Sequence, residues 1–241
     1  MNSKLLEALG LANVVAGVPY NVRTNQSVHE WSNQVQQIIA KLPIVPMECY
    51  SANQVHGNEI AYCDGMNGLD YHFGKYFLEK DGLITDQPKI ALLIKYADCS
   101  PIVLFDPVKK VQAVVHSGWR STVKRISSNA IQQMQQQFGC DVSNIVAFIG
   151  PTIDVASYQV GQEVYDAFAE FRLRDAFFVK EAGKYYLNLS EANRCILLEA
   201  GILPEKIEVS SISTYDCAAL HSARRDGANY QLNALVTMML S

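Results

Sequence analysis

Four short apolar runs in the centre of the chain, one of them interrupted by Gln112, constrain the fold more than any other feature. Each run is four or five residues long and ends near a proline, a glycine or a charged residue, which is typical of strands that are buried on both faces. The runs are Ile90–Ile94, Ile102–Phe105, Val111–Val115 and Ile145–Ile149. We therefore expect a sheet core built from this part of the chain.

Helical patterns flank these runs. Apolar residues three and four positions apart predict helices over about 123–138, 161–172 and 190–200. We expect Ser121 or Thr122 to cap the first helix and Gly139 to end it, while Ser190 caps the last helix and Gly201 ends it. A hairpin at 181–184 and a strand over about 206–212 complete the pattern. The mixed order favours an α+β (α/β) fold, a single domain over 1–241 with a mixed sheet core and helices packed outside.

Composition narrows the class of protein. The chain has 241 residues, of which 49% are hydrophobic and 18% are charged, so it is neither disordered nor a coiled coil. A net charge of −4 offers no basic excess for nucleic acid, which we do not expect as a partner. The uncharged stretch 8–22 is too short to cross a membrane, and six cysteines without a CxxC pair favour a reducing compartment, the cytoplasm. The sequence carries no signal for the oligomeric state.

Two residues at the ends of predicted strands are candidates for chemistry. Cys99 precedes Pro101, whose missing amide donor should break or bend the ladder and leave the thiol at a strand end. His116 ends another run and precedes Gly118, which allows a substrate to approach the backbone closely. A buried structural cysteine and a hydrogen-bonded strand-edge histidine are the alternative interpretations.

The surroundings of these two residues add weaker candidates. His56 lies in a polar segment that alone predicts a surface turn, and His29 and His72 have loop-like neighbours. Arg120 carries a guanidinium suited to phosphate. Cysteine sulfur and histidine nitrogen are preferred zinc ligands, and three protein ligands with an open position form a catalytic site. The wide spacing of His56, Cys99 and His116 is not a zinc-finger signature, so spacing alone does not reveal such a site.

Several ordered segments resemble one known family. They are QVHG at 54–57, DGLIT at 81–85, ADCSP at 97–101, HSGWR at 116–120 and IGP at 149–151, with weaker blocks YQVG at 158–161 and SARRDG at 222–227. They resemble the laccase-domain proteins, formerly named polyphenol oxidases, whose members are described as purine nucleoside phosphorylases. The resemblance extends from about residue 50 to the C-terminus.

The resemblance implies both a fold and a site. The implied fold is the one shared with cytotoxic necrotizing factor toxins, and the implied metal site, usually zinc, is formed by His56, Cys99 and His116. The implied activities are phosphorolysis of adenosine, inosine, guanosine and methylthioadenosine, with adenosine deamination. Ser121 and Ser213 depart from the family pattern, and we expect Ser121 to narrow the pocket.

Histidine count limits the copper chemistry that the name laccase suggests. Each copper of a multicopper oxidase takes roughly two or three imidazoles, and five histidines cannot supply a four-copper cluster. One copper on the three ligands remains possible, so a copper-dependent polyphenol oxidoreductase stays an alternative.

The leading hypothesis is a zinc-dependent purine nucleoside enzyme whose partners are a purine nucleoside and phosphate. His56, Cys99 and His116 act at the reaction centre, and Arg120 and Arg225 hold phosphate. Tyr158 stacks on the base, or packs in the core. Asp98 orients a ligand, or caps a turn. A metal-free hydrolase or deamidase, with Cys99 as nucleophile and His116 as base, is the second hypothesis, and a non-catalytic binding module is the third.

Overall fold

The apolar runs of the sequence form strands at the centre of two packed sheets. The computed structural model describes residues 2–21 and 28–241. In it the run at 90–94 forms β7, and the other three runs form β8, β9 and β10. The strands of the first sheet, in spatial order, are β1 (Leu11–Val18), β15 (Leu232–Met239), β7 (Ile90–Tyr96), β2 (Glu48–Ala52), β5 (Gly74–Phe77) and β4 (Leu69–Tyr71). Those of the second are β14 (Ile207–Val209), β10 (Val146–Ile149), β8 (Ser100–Asp106), β9 (Val111–Ser117), β6 (Gly82–Thr85) and β3 (Ile60–Tyr62).

Both sheets are mixed. In the first, β15 is antiparallel to β1 and β7, whereas β2 is parallel to β7 and β5. In the second, β8 is antiparallel to β9 and β10, whereas β3 is parallel to β6. A small third sheet contains β11 (Gln159–Val160), β13 (Lys184–Leu187) and β12 (Phe178–Glu181). The helices are α1 (Lys4–Ala8), α2 (Val28–Ile39), α3 (Trp119–Val123), α4 (Ile126–Phe138), α5 (Gln162–Ala167), α6 (Arg174–Phe177), α7 (Leu189–Glu199) and α8 (Ala223–Asp226).

Alternation along the central strands sorts the molecule into layers. Leu92 and Ile94 of β7 pack between the sheets with residues of β8 and β9, such as Val103 and Val114. Ala91 and Leu93 point the other way, onto α2. The outer face of the second sheet is covered by α4 and α7. The strands are therefore buried on both faces, as the apolar runs predict, and the α+β class with outer helices is confirmed.

Helix boundaries differ from the prediction in three places. The helix expected over 123–138 is divided into α3 and α4, because Arg125 adopts a left-handed conformation with φ 56°. Ser121 and Thr122 therefore lie inside α3 and cap nothing, although Gly139 ends α4 as expected. Asn188, and not Ser190, caps α7 by accepting the amide of Glu191.

The remaining predicted elements are present but shorter. The pattern over 161–172 gives only α5, because Phe168 and Phe171 turn into an aromatic cluster with Phe177 and Phe178. The strand expected over 206–212 is confined to β14, and the hairpin at 181–184 joins β12 to β13. No helix in the described ranges is long and apolar enough to span a bilayer.

The ends of β8 and β9 position the candidate residues. His116 pairs with Pro101, and Gly150 donates its amide to the Pro101 carbonyl at 2.9 Å. The ladder thus continues through Pro101 instead of breaking there. Cys99 nevertheless precedes the first residue of β8, so the thiol lies at a strand end as expected.

Candidate metal centre

His116 is held at the end of β9 by a buried aspartate. The residue is 4% exposed, and its Nδ1 lies 2.9 Å from Oδ1 of Asp81, which is fully buried. The His116 amide also donates to the Asp81 carbonyl at 2.7 Å. Because a carboxylate only accepts, Nδ1 carries a proton, so Nε2 is the nitrogen of His116 that can serve as a ligand.

The same carboxylate holds the loop that carries His56. The amides of Val55, His56 and Gly57 donate to the Asp81 carboxylate at 2.9, 3.0 and 2.7 Å. His56 adopts φ 57°, a conformation that few residues other than glycine take up. These three bonds compensate the strain of that conformation, so Asp81 positions both histidines.

Cys99 is positioned by a second aspartate. Asp98 has φ 82°, and its carboxylate accepts the Thr214 hydroxyl at 2.7 Å and the Arg224 amide at 2.7 Å. Its carbonyl accepts the Thr152 hydroxyl at 2.6 Å. Its carboxylate bonds neither histidine, so Asp98 makes no contact that would orient an imidazole ligand directly. Asp98 instead fixes the turn before β8, and Asp81 has the orienting contacts.

The structure brings the three candidate ligands together. One nitrogen of His56, the sulfur of Cys99 and one nitrogen of His116 lie within 4.8 Å of one another. Cys99 Sγ is 3.9 Å from His56 Nε2, and the two imidazole rings are 4.9 Å apart between centroids. Around a tetrahedral zinc ion such atoms lie roughly 3.3–3.7 Å apart. The donor set and its spacing therefore fit a zinc ion after a small contraction.

Gly118 leaves the space that this cluster occupies. A Cβ atom at position 118 would lie 2.7 Å from Cys99 Sγ and 2.9 Å from His56 Cδ2. The backbone has φ −72°, which any residue adopts, so the requirement is for space and not for conformation. Close approach at Gly118 was expected for a substrate, but here it is made by the side chains of Cys99 and His56.

A buried hydrogen-bond network supports the turn behind the cluster. Ser117 Oγ donates to Asn193 Oδ1 at 2.7 Å and lies 2.9 Å from Thr122 Oγ1. Thr122 Oγ1 donates to the Gly118 carbonyl at 2.9 Å. These contacts connect the end of β9 to α3 and α7, so the histidine–glycine turn has little freedom to move.

Electrostatics favour a thiolate in the metal-free site. Burial alone would raise the pKa of Cys99, but the charge of His116 and hydrogen bonds from both histidines outweigh it and lower that pKa to about 6. Burial alone would lower the pKa of His116, but Cys99 and Asp81 raise it to about 9. A thiolate is the form of cysteine that binds a metal or attacks an electrophile.

The cluster opens into a cavity of about 550 Å³. Cationic and aromatic side chains form much of the remaining wall: Lys95, Arg120, Arg224, Tyr96, Trp119, Tyr158 and Tyr230. The Arg120 guanidinium stacks 4.2 Å from the Trp119 ring. Such a wall suits a ligand with a flat ring and a negative charge.

Two of the three predicted substrate-binding residues line the cavity, and the third does not. Arg120 and Tyr158 line it, but Arg225 is not among the lining residues. The Arg225 guanidinium donates to the carbonyls of Thr214, Tyr215, Cys217 and Leu220 and to Asp226. The expectation that Arg225 holds phosphate is therefore corrected, because its donors are occupied. Its neighbour Arg224 lines the cavity instead.

The family departures lie outside the cavity lining. Ser121 is fully buried inside α3 and does not line the cavity, so the expectation that it narrows the pocket is wrong. Ser213 Oγ donates to Asp154 at 2.6 Å and supports a loop. The rings of His29 and His72 contact each other, with their centroids 5.3 Å apart, and neither residue belongs to the ligand cluster.

Sequence reasoning missed Asp81 and Lys95. Asp81 opens a segment that resembles the family, but nothing in the sequence pairs it with His116. Lys95 follows an apolar run directly and reads as the polar end of a strand. The sequence does show that Asp81 directly precedes a buried strand. A buried carboxylate there is costly without hydrogen-bond or charge partners, and that is the available signal that Asp81 has such partners.

Comparison with known proteins shows which family this chain belongs to. Residues 16–239 match the family described as multi-copper polyphenol oxidoreductase laccase. A purine nucleoside phosphorylase of Bacteroides thetaiotaomicron is 39% identical over 138 residues, which are 56% of this chain and 51% of that protein. The chain thus spans about half the length of that relative.

Two further proteins share the sequence or the fold. The adenosine deaminase RL5, from an unknown prokaryotic organism, is 37% identical over 182 residues, which are 73% of this chain and 69% of that protein. The crystal structure of YlmD from Geobacillus stearothermophilus superposes with a TM-score of 0.85 and 24% identity, covering 99% of this chain and 94% of that one. That structural likeness supports the α+β fold, and the relation to necrotizing factor toxins stays a prediction.

Proposed function

The chain belongs to the multi-copper polyphenol oxidoreductase laccase family, and on that premise we propose that it is a zinc-dependent purine nucleoside enzyme. Its reactions are phosphorolysis of adenosine, inosine, guanosine and methylthioadenosine, with adenosine deamination as a side activity. One observation carries the proposal: two imidazoles and one thiol converge within 4.8 Å beside a cationic, aromatic cavity. The names of the phosphorylase and deaminase relatives support the substrate class.

His56, Cys99 and His116 would hold the zinc ion. When bound, zinc supplies Lewis acidity, which polarises a substrate group or lowers the pKa of a water. Asp81 keeps His116 in the tautomer that presents Nε2, and its bonds to the loop amides fix His56. Gly118 keeps the space between the ligands open.

In phosphorolysis, an oxygen of phosphate attacks the anomeric carbon of the ribose. The new C1′–O bond forms as the C1′–N9 bond breaks, and the base leaves with the electron pair and takes up a proton. Arg120 would bind the attacking phosphate, because its guanidinium stacks on Trp119 and forms no ion pair among the described residues. The negative charge of the phosphate stabilises the oxocarbenium-like centre.

In deamination, water replaces the exocyclic amine of adenosine. The C6–O bond forms, the C6–N bond breaks, and the nitrogen leaves as ammonia with a proton from the attacking water. The same cavity serves both reactions when Trp119 and Tyr158 contact the purine ring. Both residues also pack on the phenylalanine cluster behind them, which keeps this wall rigid.

The direct test combines metal analysis with assays. We expect the purified protein to contain zinc, to release hypoxanthine from inosine only when phosphate is present, and to release ammonia from adenosine. Cys99→Ala should abolish these activities and the bound metal. Full activity in the Cys99→Ala protein would remove the proposed mechanism.

Copper oxidase chemistry is the weaker interpretation of the family name. The chain has five histidines, and two of them belong to the single cluster of three potential ligands found in the described residues. One copper ion on this cluster is chemically feasible because copper binds such ligands more tightly than zinc. Oxygen uptake with a phenolic substrate after copper loading, and not after zinc loading, would support that alternative.

A metal-free cysteine hydrolase is the second candidate function. Asp81, His116 and Cys99 form a carboxylate–imidazole–thiol series, and the pKa of Cys99 is lowered to about 6. In this candidate Cys99 attacks an acyl or amide carbon, and His116 protonates the leaving group. Removal of metal with a chelator separates the candidates, because it should silence the zinc enzyme and spare the hydrolase.

A further inference from the structure

Lys95 lines the cavity, and its backbone is held in place. It lies near the end of β7, and its backbone is held on both sides by the Gln54 side chain. Gln54 Nε2 donates to the Lys95 carbonyl at 2.6 Å, and Gln54 Oε1 accepts the Lys95 amide at 3.0 Å. Gln54 lies two residues before His56 in the same loop, so the position of Lys95 is fixed relative to the metal centre.

The surroundings of the Lys95 ammonium are aromatic. Its Nζ atom lies 5.8 Å from the centroid of the Trp31 ring and 5.6 Å from that of Tyr76. Among residues 2–21 and 28–241, no carboxylate forms an ion pair with it. Burial lowers the pKa of Lys95 to about 8, which leaves the ammonium charged at neutral pH. A desolvated charge of this kind gains from an anionic ligand.

The charges of the cavity wall are unbalanced. Outside the His56–Cys99–His116 cluster, the cations Lys95, Arg120 and Arg224 line it, and Asp98 is the one carboxylate among the described lining residues. The Asp98 carboxylate is already bonded to the Thr214 hydroxyl and the Arg224 amide. The Arg224 guanidinium is bonded to the carbonyls of Ser157 and Gln159. Lys95 and Arg120 thus remain as the cations without a bonded acceptor in this part of the chain.

We propose that Lys95 is a binding residue for a phosphate group inside the cavity, separate from the contact assigned to Arg120. This inference deepens the proposed function and rests on it for the identity of the anion. The ammonium is a compact donor that binds phosphate as a point charge, whereas Arg120 offers a planar fork. The phosphate group has two sources: inorganic phosphate that attacks the nucleoside, and the 5′-phosphate of a nucleotide.

The test measures binding directly, so that it does not depend on turnover. Inorganic phosphate, adenosine 5′-monophosphate and adenosine are each titrated calorimetrically into the metal-loaded full chain. The variants are Lys95→Met, which keeps the length of the side chain against the rings, and Lys95→Arg, which restores the charge. The matched control is Lys180→Met, because Lys180 also lies over an aromatic ring, 5.2 Å from the centroid of Tyr185, but does not line the cavity.

We expect Lys95→Met to weaken binding of at least one phosphate-bearing probe by about tenfold or more, which is the effect of losing a charged hydrogen bond. Adenosine binding should not change, Lys95→Arg should retain anion binding, and Lys180→Met should match the wild type. Weaker binding of inorganic phosphate identifies the attacking anion, and weaker binding of the nucleotide alone identifies the 5′-phosphate.

Two results would overturn the inference. In the first, Lys95→Met binds inorganic phosphate and adenosine 5′-monophosphate as tightly as the wild type does. In the second, the wild type binds neither anion at millimolar concentration. Failure of the proposed function is a different result: anion binding depends on Lys95, but no purine nucleoside is cleaved or deaminated.

Discussion

Nδ1 of His116 lies 2.9 Å from Oδ1 of Asp81, and the Asp81 carboxylate also accepts three amides of the loop that carries His56. One buried side chain therefore aligns two candidate ligands that are far apart in the sequence. A contact of this kind fixes the tautomer and the orientation of a metal-binding imidazole.

Asp81→Asn should weaken zinc binding by about 10- to 100-fold. The variant keeps the shape of the side chain, but its amide nitrogen only donates, so either His116 Nδ1 or the loop amides lose their acceptor. Competition with a chromophoric chelator measures the zinc dissociation constant, and circular dichroism measures the unfolding temperature.

Asp106→Asn is the matched control for Asp81→Asn. Asp106 is also fully buried and accepts two amides, those of Val108 and Lys109, but it lies at the opposite end of β8. The Asp106→Asn substitution should change the stability of the protein but not its zinc affinity. Zinc affinity of Asp81→Asn within about twofold of the wild type would refute the positioning role.

Gly118→Ala should abolish metal binding and leave the fold intact. The added Cβ would lie 2.7 Å from Cys99 Sγ, while the backbone conformation is one that alanine accepts. Gly161→Ala is the control, because Gly161 precedes α5 with φ −80° and ψ 170°, close to the φ −72° and ψ 169° of Gly118. The three atoms nearest to an added Cβ there all belong to the flexible end of Glu163. Normal zinc content in Gly118→Ala would contradict the packing argument.

Substitution of Arg120 and substitution of Arg225, the two arginines expected to hold phosphate, should have different effects. Arg225→Ala should lower stability by about 2 kcal/mol, because the guanidinium bonds four carbonyls, and it should leave the KM for phosphate unchanged. Arg120→Ala should raise the KM for phosphate about tenfold with little change in unfolding temperature. Steady-state kinetics and thermal unfolding of both variants measure these effects. A raised KM for phosphate in Arg225→Ala with an unchanged KM in Arg120→Ala would contradict the assignment.

When the anion bound by Lys95 is the attacking phosphate, the KM for phosphate should rise as pH increases through about 8. The pKa of Lys95 is lowered to about 8 by burial, so its charge is present below that pH and lost above it. The groups that face it from α2 and β5 are the rings of Trp31 and Tyr76, and burial raises the pKa of Tyr76, so neither gains charge in this range. Lys95→Arg should remove the rise. A profile that is the same in both proteins would exclude Lys95 as its cause.

The sequence predicts those parts of the fold that follow from local pattern. The apolar runs locate β7, β8, β9 and β10 because strands buried on both faces need such runs. Cys99 and His116 stand out because they lie at the ends of such strands. The division of the long helix at Arg125 was not predictable, since it depends on the turn between α3 and α4.

Other parts of the site depend on tertiary pairing. Asp81 faces His116 because Gly82 of β6 pairs with Val115 of β9, a register that no local pattern encodes. Arg224 and Arg225 are adjacent and chemically equal, and only the carbonyls gathered around Arg225 decide which one faces the cavity. Lys95 gains its role from Trp31 and Tyr76, which come from distant parts of the chain.

Metal analysis of protein purified without added metals or chelators tests the central claim most directly. Wild type, Cys99→Ala and His116→Ala are compared with Cys195→Ala, which removes a buried thiol that does not belong to the cluster. The account predicts about one zinc per chain in the wild type and in Cys195→Ala, and loss of zinc in the other two. Zinc retained by Cys99→Ala and His116→Ala at the wild-type level would contradict it.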